Sequence, residues 1–417
     1  MALTELLPLD RAIQLIVDEA FDVRARHPQD LRRVSIWEAA GLVLAEDVVA
    51  DRDQPAFDRS VMDGYAVIAS DIGPDGAELP IVATLAAGTR LPFRPDFELK
   101  TGQAMAIMTG APIPRGADAV VIVEDCERRG ERVFIPSAPR AGENILRRGA
   151  HVRAGAVVVE RGRVIESLTA GVLGTVGAAD LRIHRRPRVT VLATGDELVN
   201  IEDTPADGQI RDSNRRALMA LAENEWCRVV DGGIVSDDRI ALREAVREGL
   251  DSDVLLLSGG VSRGDFDLVA GVLEEEGVDI LFHRVAMKPG KPLLFGRRGR
   301  CLVFGLPGNP VSAWVTAALC VAPALRILGH RPEHRNWLLN VPLLGGVPKT
   351  GDRTTIHPAQ LVRNDAGDLR VRMLDWQGSA DHLAYARANA LIRREAGAPA
   401  ATEGERVVVI LPNPTVT

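Results

Sequence analysis

Cysteine is scarce in this 417-residue chain: Cys126, Cys227, Cys301 and Cys320 stand far apart. Without a CxxC pair or a Cys/His cluster, neither a zinc site nor a disulfide scaffold is indicated. Aromatic residues are also few, at 4%, so Ala, Val, Leu and Ile must fill the cores. No basic-then-apolar pattern opens the sequence. The longest apolar run, Val311 to Leu328, is interrupted by Ser312, Thr316, Pro323 and Arg326, which leaves it short of a spanning helix. The expectation is a soluble, cytoplasmic protein in a reducing compartment, with no membrane partner. Positive charge is not in excess: the formal net charge is −7, which argues against a nucleic-acid partner. Basic clusters at Arg147-Arg148, Arg185-Arg186 and Arg297 to Arg300 read as solvated surface turns. There is no G-x-G-x-x-G fingerprint and no P-loop spacing, which counts against a Rossmann dehydrogenase.

What is present is globular composition, 46% hydrophobic and 26% charged, in enough chain for two to four domains. Leu9 to Val23 has the apolar spacing of an amphipathic helix. Ser35 with Glu38 three residues on resembles a capping box and predicts a second helix, Ile36 to Leu44. From Tyr65 to Arg140 short apolar runs alternate with Gly/Pro turns, the pattern of a β-rich unit. Helical character returns over Gly162 to Gly177. Between 186 and 330, runs at Val189–Ala193, Arg228–Val230, Val254–Leu257 and Leu302–Phe304 alternate with helical segments Arg215–Ala222, Ile240–Leu250 and Phe266–Glu276. That alternation predicts a mostly parallel sheet covered on both faces. After His330, strand-like runs "NWLLNVPLL", "LRVRML" and "RVVVILP" predict a small β domain, with a short helix in His382 to Leu391.

Ligands on open α/β sheets sit beyond the carboxyl ends of the strands. The polar and Gly-rich stretches of the α/β region fall after the predicted strands. In "LATGDEL", Thr194 and Gly195 end a strand and Asp196 and Glu197 follow. In "LSGGVSRGDFD", Gly259 and Gly260 permit close backbone approach, Ser258 and Ser262 offer hydroxyls, and Asp265 and Asp267 offer oxygen ligands. The combination suits a phosphate cradle beside a hard cation such as Mg²⁺. In "MKPGKP", Lys288 and Lys291 flank a Pro-Gly turn and could face one polyanion. In "GLPGNPVSA", Asn309 reads as an N-cap and Pro310 as the first helical residue, with Pro307 and Gly308 before them. Outside this region, "FDRSVMDGYAV" supplies Asp58 and Asp63, and "TGAPIPRGADAVVIVEDC" supplies Thr109 and Glu124. Each stretch alone is as readily a solvated turn or a cap.

Several long motifs in one order are more specific. Pro55 to Val67, Thr109 to Glu124, Thr194 to Leu198, Gly208 to Asn214, Ser258 to Asp267, Lys288 to Pro292 and Leu306 to Ser312 together resemble the molybdopterin molybdenumtransferase family, to which the gephyrin E domain is related. The resemblance spans almost the whole chain. It implies a multidomain α/β and β fold: a helical stem (1–50 and 142–184), a β-rich insert (51–141), a central molybdopterin-binding three-layer α/β domain (185–330), and a C-terminal β-barrel-like domain (331–417). It implies a homodimer with the cleft between the α/β domain of one subunit and the insert of the other. The implied reaction takes molybdate and adenylylated molybdopterin, releases AMP in an Mg²⁺-dependent step and joins molybdenum to the dithiolene.

The resemblance also implies roles. Asp58, Glu124, Asp265, Lys288 and Lys291 would be catalytic. Asp63, Thr109, Thr194, Gly195, Ser258, Gly259, Gly260, Ser262, Pro307, Gly308 and Asn309 would hold the pterin nucleotide, and Asp196, Glu197, Asp265 and Asp267 would hold the metal. A molybdopterin adenylyltransferase and molybdoenzyme acceptors are the implied partners. The chain departs from the family pattern at Leu146, where an arginine is usual and Arg147 and Arg148 follow instead. It departs again in the Gly149–Val152 stretch, and at His357-Pro358, where an arginine is common. A scaffold on the same fold and a tungsten-inserting paralogue are the alternatives.

Overall fold

The computed structural model describes residues 6–27, 31–88, 98–260, 268–364 and 366–412. The chain divides into two compact units. One comprises Met1–Ala45, Gly162–Glu166 and Leu181–Thr417; the other comprises Glu46–Arg161 and Ser167–Asp180.

In the first unit, helix α1 (Leu9–Arg26) buries Leu9, Ala12, Ile16, Val17, Ala20 and Val23 along one stripe. A six-stranded sheet follows, built from β1 (Arg188–Thr194), β2 (Arg228–Val235), β3 (Val254–Ser258), β4 (Asp279–Arg284), β5 (Pro292–Arg298) and β6 (Cys301–Leu306). The strand order is β2-β1-β3-β6-β5-β4. The first four strands run parallel; β5 is antiparallel to both β6 and β4. The four strands expected from the sequence are present, and β4 and β5 add the antiparallel edge.

Alternate residues of the central strands enter two cores. Val254 and Leu256 of β3, with Leu302, Phe304 and Leu306 of β6, pack in the cluster that contains α1. Leu255, Leu257 and Val303 pack in the other. Helix α2 (Asn214–Asn224) belongs to the first face, and α3 (Arg239–Gly249) and α4 (Leu268–Glu275) to the second. Both faces are therefore covered, which is why the central strands read as continuous apolar runs.

The long apolar segment forms one helix, α5 (Pro310–Leu328), 89% buried inside the protein. It is a core helix. It widens into a π turn at Ala317–Val321, just ahead of Pro323, whose ring nitrogen has no hydrogen to donate. Beyond it lies a closed five-stranded barrel of β7 (Trp337–Leu344), β8 (Thr354–Arg363), β9 (Leu369–Met373), β10 (Ala390–Arg394) and β11 (Arg406–Leu411). The ring runs β8-β9-β7-β11-β10 and closes on β8. The expected helix in His382–Leu391 is the five-residue His382–Ala386. A two-residue strand, Met287–Lys288, pairs with Thr354 and Thr355 of β8.

One local expectation fails. Ile36–Leu44 is not a helix: a single 3₁₀ turn, Ile36–Glu38, forms, with Ser35 Oγ accepting from Trp37 N–H at 3.4 Å. Gly41 follows at φ +76°, and Leu44 bridges to Ile183, so extended pairing wins over the local capping signal.

The second unit is built on a six-stranded sheet in the order Ala119–Ile122, Gly64–Val67, Ala104–Ile107, Ala77–Leu85, Arg132–Ile135, Glu127–Arg129. Its one described α-helix is Ser167–Thr175, shorter than the helical stretch read from the sequence. A Cβ on Gly64 would lie 1.9 Å from the Val121 carbonyl oxygen, so the approach of these two strands requires glycine there.

Candidate functional site

The carboxyl ends of β1, β3 and β6 bring three of the predicted loops together. Thr194 ends β1, Ser258 ends β3 and Leu306 ends β6; Ser258 pairs with Leu306 on one side and with Ala193, one residue before Thr194, on the other. Gly259 N–H donates to the Leu306 carbonyl at 3.1 Å, which ties the second loop to the third. Gly259 lies at φ +100°, and a Cβ there would come within 2.2 Å of the Thr194 carbonyl oxygen, so the first and second loops also touch. Thr194, Gly195, Ser258 and Pro307 are buried, while Asp196, Glu197, Gly308 and Asn309 are exposed. The strand ends thus form a floor with an exposed polar rim.

Asn214 joins this floor, and sequence reasoning did not single it out as a site residue. It is the first residue of α2, and its Nδ2 donates to Ser258 Oγ at 2.9 Å and to the Gly308 carbonyl at 2.7 Å. One amide nitrogen therefore spends both its hydrogens pinning two loops. Asp212 just before it is buried and caps the helix start, accepting from Arg215 N–H and Nε at 3.0 and 2.8 Å. Asp237 was also missed. It accepts from Thr194 Oγ1 at 2.7 Å, and its N–H donates to Asp196 Oδ1 at 3.1 Å. The available signal was weak: an Asn before a helix, and an Asp after a strand, read as ordinary caps.

Asn309 and Pro310 occupy the predicted N-cap and first helical positions of α5. The Asn309 side chain makes no capping bond, so its amide remains on the exposed rim. Lys288 and Lys291 are both exposed around the Pro289-Gly290 turn. Lys288 stands opposite Thr355 on β8, and two residues further along that strand is His357, only 5% exposed. Burial, with Lys288 and Arg394 nearby, pushes the His357 imidazole down to about 4. Trp376 Nε1 donates to its Nδ1 at 3.4 Å, and Nε2 has no partner. The residue at this departure from the family pattern is therefore a neutral imidazole near Lys288.

The second unit gathers the other predicted residues at one end of its sheet. Asp63 precedes strand Gly64–Val67, and its Oδ1 accepts from Thr109 N–H at 2.6 Å and Thr109 Oγ1 at 2.8 Å. Those two bonds hold its carboxyl below the usual range against a small effect of burial. Val123 N–H donates to the Asp63 carbonyl, which places the Val123–Asp125 turn and its exposed Glu124 beside it. Asp58 lies on the same side, its carbonyl accepting from Ile113 N–H. Its carboxylate takes Arg147 Nη1 on Oδ2 and Arg148 N–H on Oδ1, both at 2.7 Å. Burial works to raise the Asp58 pKa, but these two donors outweigh it and hold the group ionised. Arg147 and Arg148, the residues beyond the Leu146 departure, are thus the partners of Asp58.

Of the predicted residues, Ser262, Asp265 and Asp267 lie outside the described residues. The rest fall in two groups: Asp58, Asp63, Thr109 and Glu124 in one unit, and Thr194 to Glu197, Ser258 to Gly260, Lys288, Lys291 and Pro307 to Asn309 in the other. Among the described residues, no group of three or more His, Cys, Asp or Glu is placed to hold a metal by itself.

A mostly parallel sheet with polar loops at its carboxyl edge, a closed β-barrel and a β-rich unit together define a multidomain α/β and β architecture. Three family models cover it in succession: the MoeA N-terminal region (domain I and II) over residues 7–177, the probable molybdopterin binding domain over 190–327, and the MoeA C-terminal region (domain IV) over 340–411. The chain belongs to the MoeA family. Relatives named molybdopterin molybdenumtransferase include that of Haemophilus influenzae, 33% identical over 92% of this chain and 94% of its own. That of Bacillus subtilis is 34% identical over 97% and 95%. A crystal structure of the molybdopterin biosynthesis MoeA protein from Pyrococcus horikoshii OT3 superposes with a TM-score of 0.79 at 26% identity, covering 98% of this chain and 100% of that one.

Proposed function

We propose that this chain is a molybdopterin molybdenumtransferase, inserting molybdenum from molybdate into adenylylated molybdopterin with release of AMP. Family membership supports the reaction, and one structural observation carries the site: Thr194, Ser258, Gly259, Asn214 and Gly308 are tied into one floor at the carboxyl edge of the sheet. Backbone N–H groups at such a glycine-rich floor suit phosphate oxygens. Lys288 and Lys291 are exposed cations for molybdate or a terminal phosphate.

Asp196 and Glu197 are exposed hard-oxygen donors on the rim. Mg²⁺ commonly takes one or two carboxylates together with substrate phosphates and water, so this pair fits a magnesium ion brought in with the nucleotide. Bound there, Mg²⁺ would withdraw charge from the pyrophosphate. Asp58, ionised and fixed by Arg147 and the Arg148 N–H, suits an orienting carboxylate better than a proton acceptor. Glu124, exposed and close to Asp63, is the better candidate base. The two residue groups are read as halves of one cleft, completed in a homodimer by the α/β unit of one copy and the β-rich unit of the other.

The test is to incubate the purified protein with adenylylated molybdopterin, Mg²⁺ and molybdate, and to follow AMP release and pterin-bound metal together. Both, dependent on molybdate, are expected. Tight binding without AMP release would refute the transferase and leave a scaffold. A tungstate arm reads the metal preference.

A further inference from the structure

At the opposite edge of the same sheet, the amino ends of β1, β2, β3 and β6 open on a cavity of about 560 Å³. Arg188 and Arg228 begin β1 and β2, Asp253 precedes β3, and Arg300 precedes β6. Arg32, Arg185 and Arg186 complete a lining of six arginines against three carboxylates, Glu38, Asp251 and Asp253. Basic pairs that look like surface turns along the sequence thus converge in space.

Asp253 organises the cavity floor. It is buried, and it accepts from Arg185 Nη1 and Nη2 at 2.7 and 2.9 Å, from Arg300 Nη2 at 2.6 Å and from Arg188 N–H at 2.7 Å. Burial alone would raise its pKa, but these donors hold it below the usual carboxylate range. Two guanidinium groups are thereby fixed in place. The guanidinium groups of Arg32, Arg188 and Arg228 make no hydrogen bond or ion pair among the described residues. Like charges crowded into a concavity repel one another, and a multiply charged anion relieves that repulsion. Guanidinium forks match phosphate oxygens in pairs.

We propose that this cavity is a second anion site, which binds a small polyanion bearing phosphate groups, separate from the site at the carboxyl edge. The length of β1 separates the two by about 20 Å. The proposal does not depend on the reaction assigned above.

Inorganic pyrophosphate is the probe, titrated by calorimetry at low salt into the full-length wild type, Lys288→Gln, and the double variant Arg188→Gln/Arg228→Gln. Binding is expected to persist in Lys288→Gln. In a triple variant that combines all three changes it should weaken at least about tenfold, the loss expected for a charged hydrogen bond. Arg188 and Arg228 are exposed, so the double variant should keep the wild-type melting temperature and AMP release. If the double variant melts early, Arg32→Gln, on the separate strand Leu31–Ser35, takes its place. No binding to Lys288→Gln, or binding there that survives loss of the cavity arginines, overturns the proposal.

Discussion

Replacing Asn214 tests whether the floor is a ligand site or only a structural junction. Its Nδ2 makes two bonds, to Ser258 Oγ and to the Gly308 carbonyl. Asn214→Ala deletes both. At about 1 kcal/mol net for each, the cost is about 2 kcal/mol, a small drop in melting temperature for a protein of this size. Asn214→Asp keeps the shape but also deletes both donors, and it turns a carboxylate oxygen toward a carbonyl. Against that, a negative charge at the start of α2 gains about 0.3–1 kcal/mol from the helix dipole. The two variants should therefore melt within a degree or two of each other. Activity should separate them. If an anionic substrate sits on this floor, the Asp charge opposes it by about 1–4 kcal/mol at a separation near 4 Å, depending on how dry the site is. The kcat/KM for AMP release, per folded molecule, should then be about tenfold lower for Asn214→Asp than for Asn214→Ala, and the gap should narrow with added salt. Equal kcat/KM at equal stability would refute an anion site at the carboxyl edge.

Gly259→Ala places a Cβ 2.2 Å from the Thr194 carbonyl oxygen at a φ of +100°, and should abolish AMP release while lowering the melting temperature; near-normal values of both would show that the loops can part. Buried Arg326 pairs with the half-buried Glu225 at 2.5 Å and also donates to Asn336 Oδ1, so Arg326→Met should cost about 2–4 kcal/mol in denaturant unfolding, and a loss below about 1 kcal/mol would show that the pair contributes little. His357 is neutral in the fold with its pKa down at about 4, so the unfolded chain binds the extra proton between that value and the ordinary imidazole range; His357→Phe should flatten the rise of melting temperature with pH across that window, and an unchanged slope would place the titration elsewhere. Asp58→Asn and Lys288→Ala should each be nearly inactive, but mixed after subunit exchange they should recover about a quarter of wild-type activity if each cleft draws on two subunits, and nothing if it does not.

The parts of this fold that were legible in the sequence are those whose burial is symmetrical. Strands β3 and β6 lie inside the sheet with a core on either face, so "VLLL" and "LVF" carry their assignment without help. Strands β4 and β5 form the antiparallel margin, where β4 is only partly covered, and "DILFHR" and "PLLFGRR" do not stand out. The Ile36–Leu44 error has the opposite origin. A capping pattern is a statement about one turn, worth about 1 kcal/mol, and cannot compete with pairing to a distant segment that the local sequence does not contain.

The same asymmetry explains the two ends of the sheet. The loops at the carboxyl edge announce themselves because each carries glycine, serine or proline in one contiguous motif, as in "LSGG" and "LPGNP". What binds those loops together does not: Asn214 reaches Ser258 across 44 positions and Gly308 across 94. At the amino edge there is no motif at all, only single arginines at the starts of strands, and the strand register alone assembles them. A parallel sheet aligns both its edges equally. Whatever residues begin its strands are therefore collected into a surface as surely as those that end them, and Arg188, Arg228 and Arg300 around Asp253 form such a collection without any local signature in the chain.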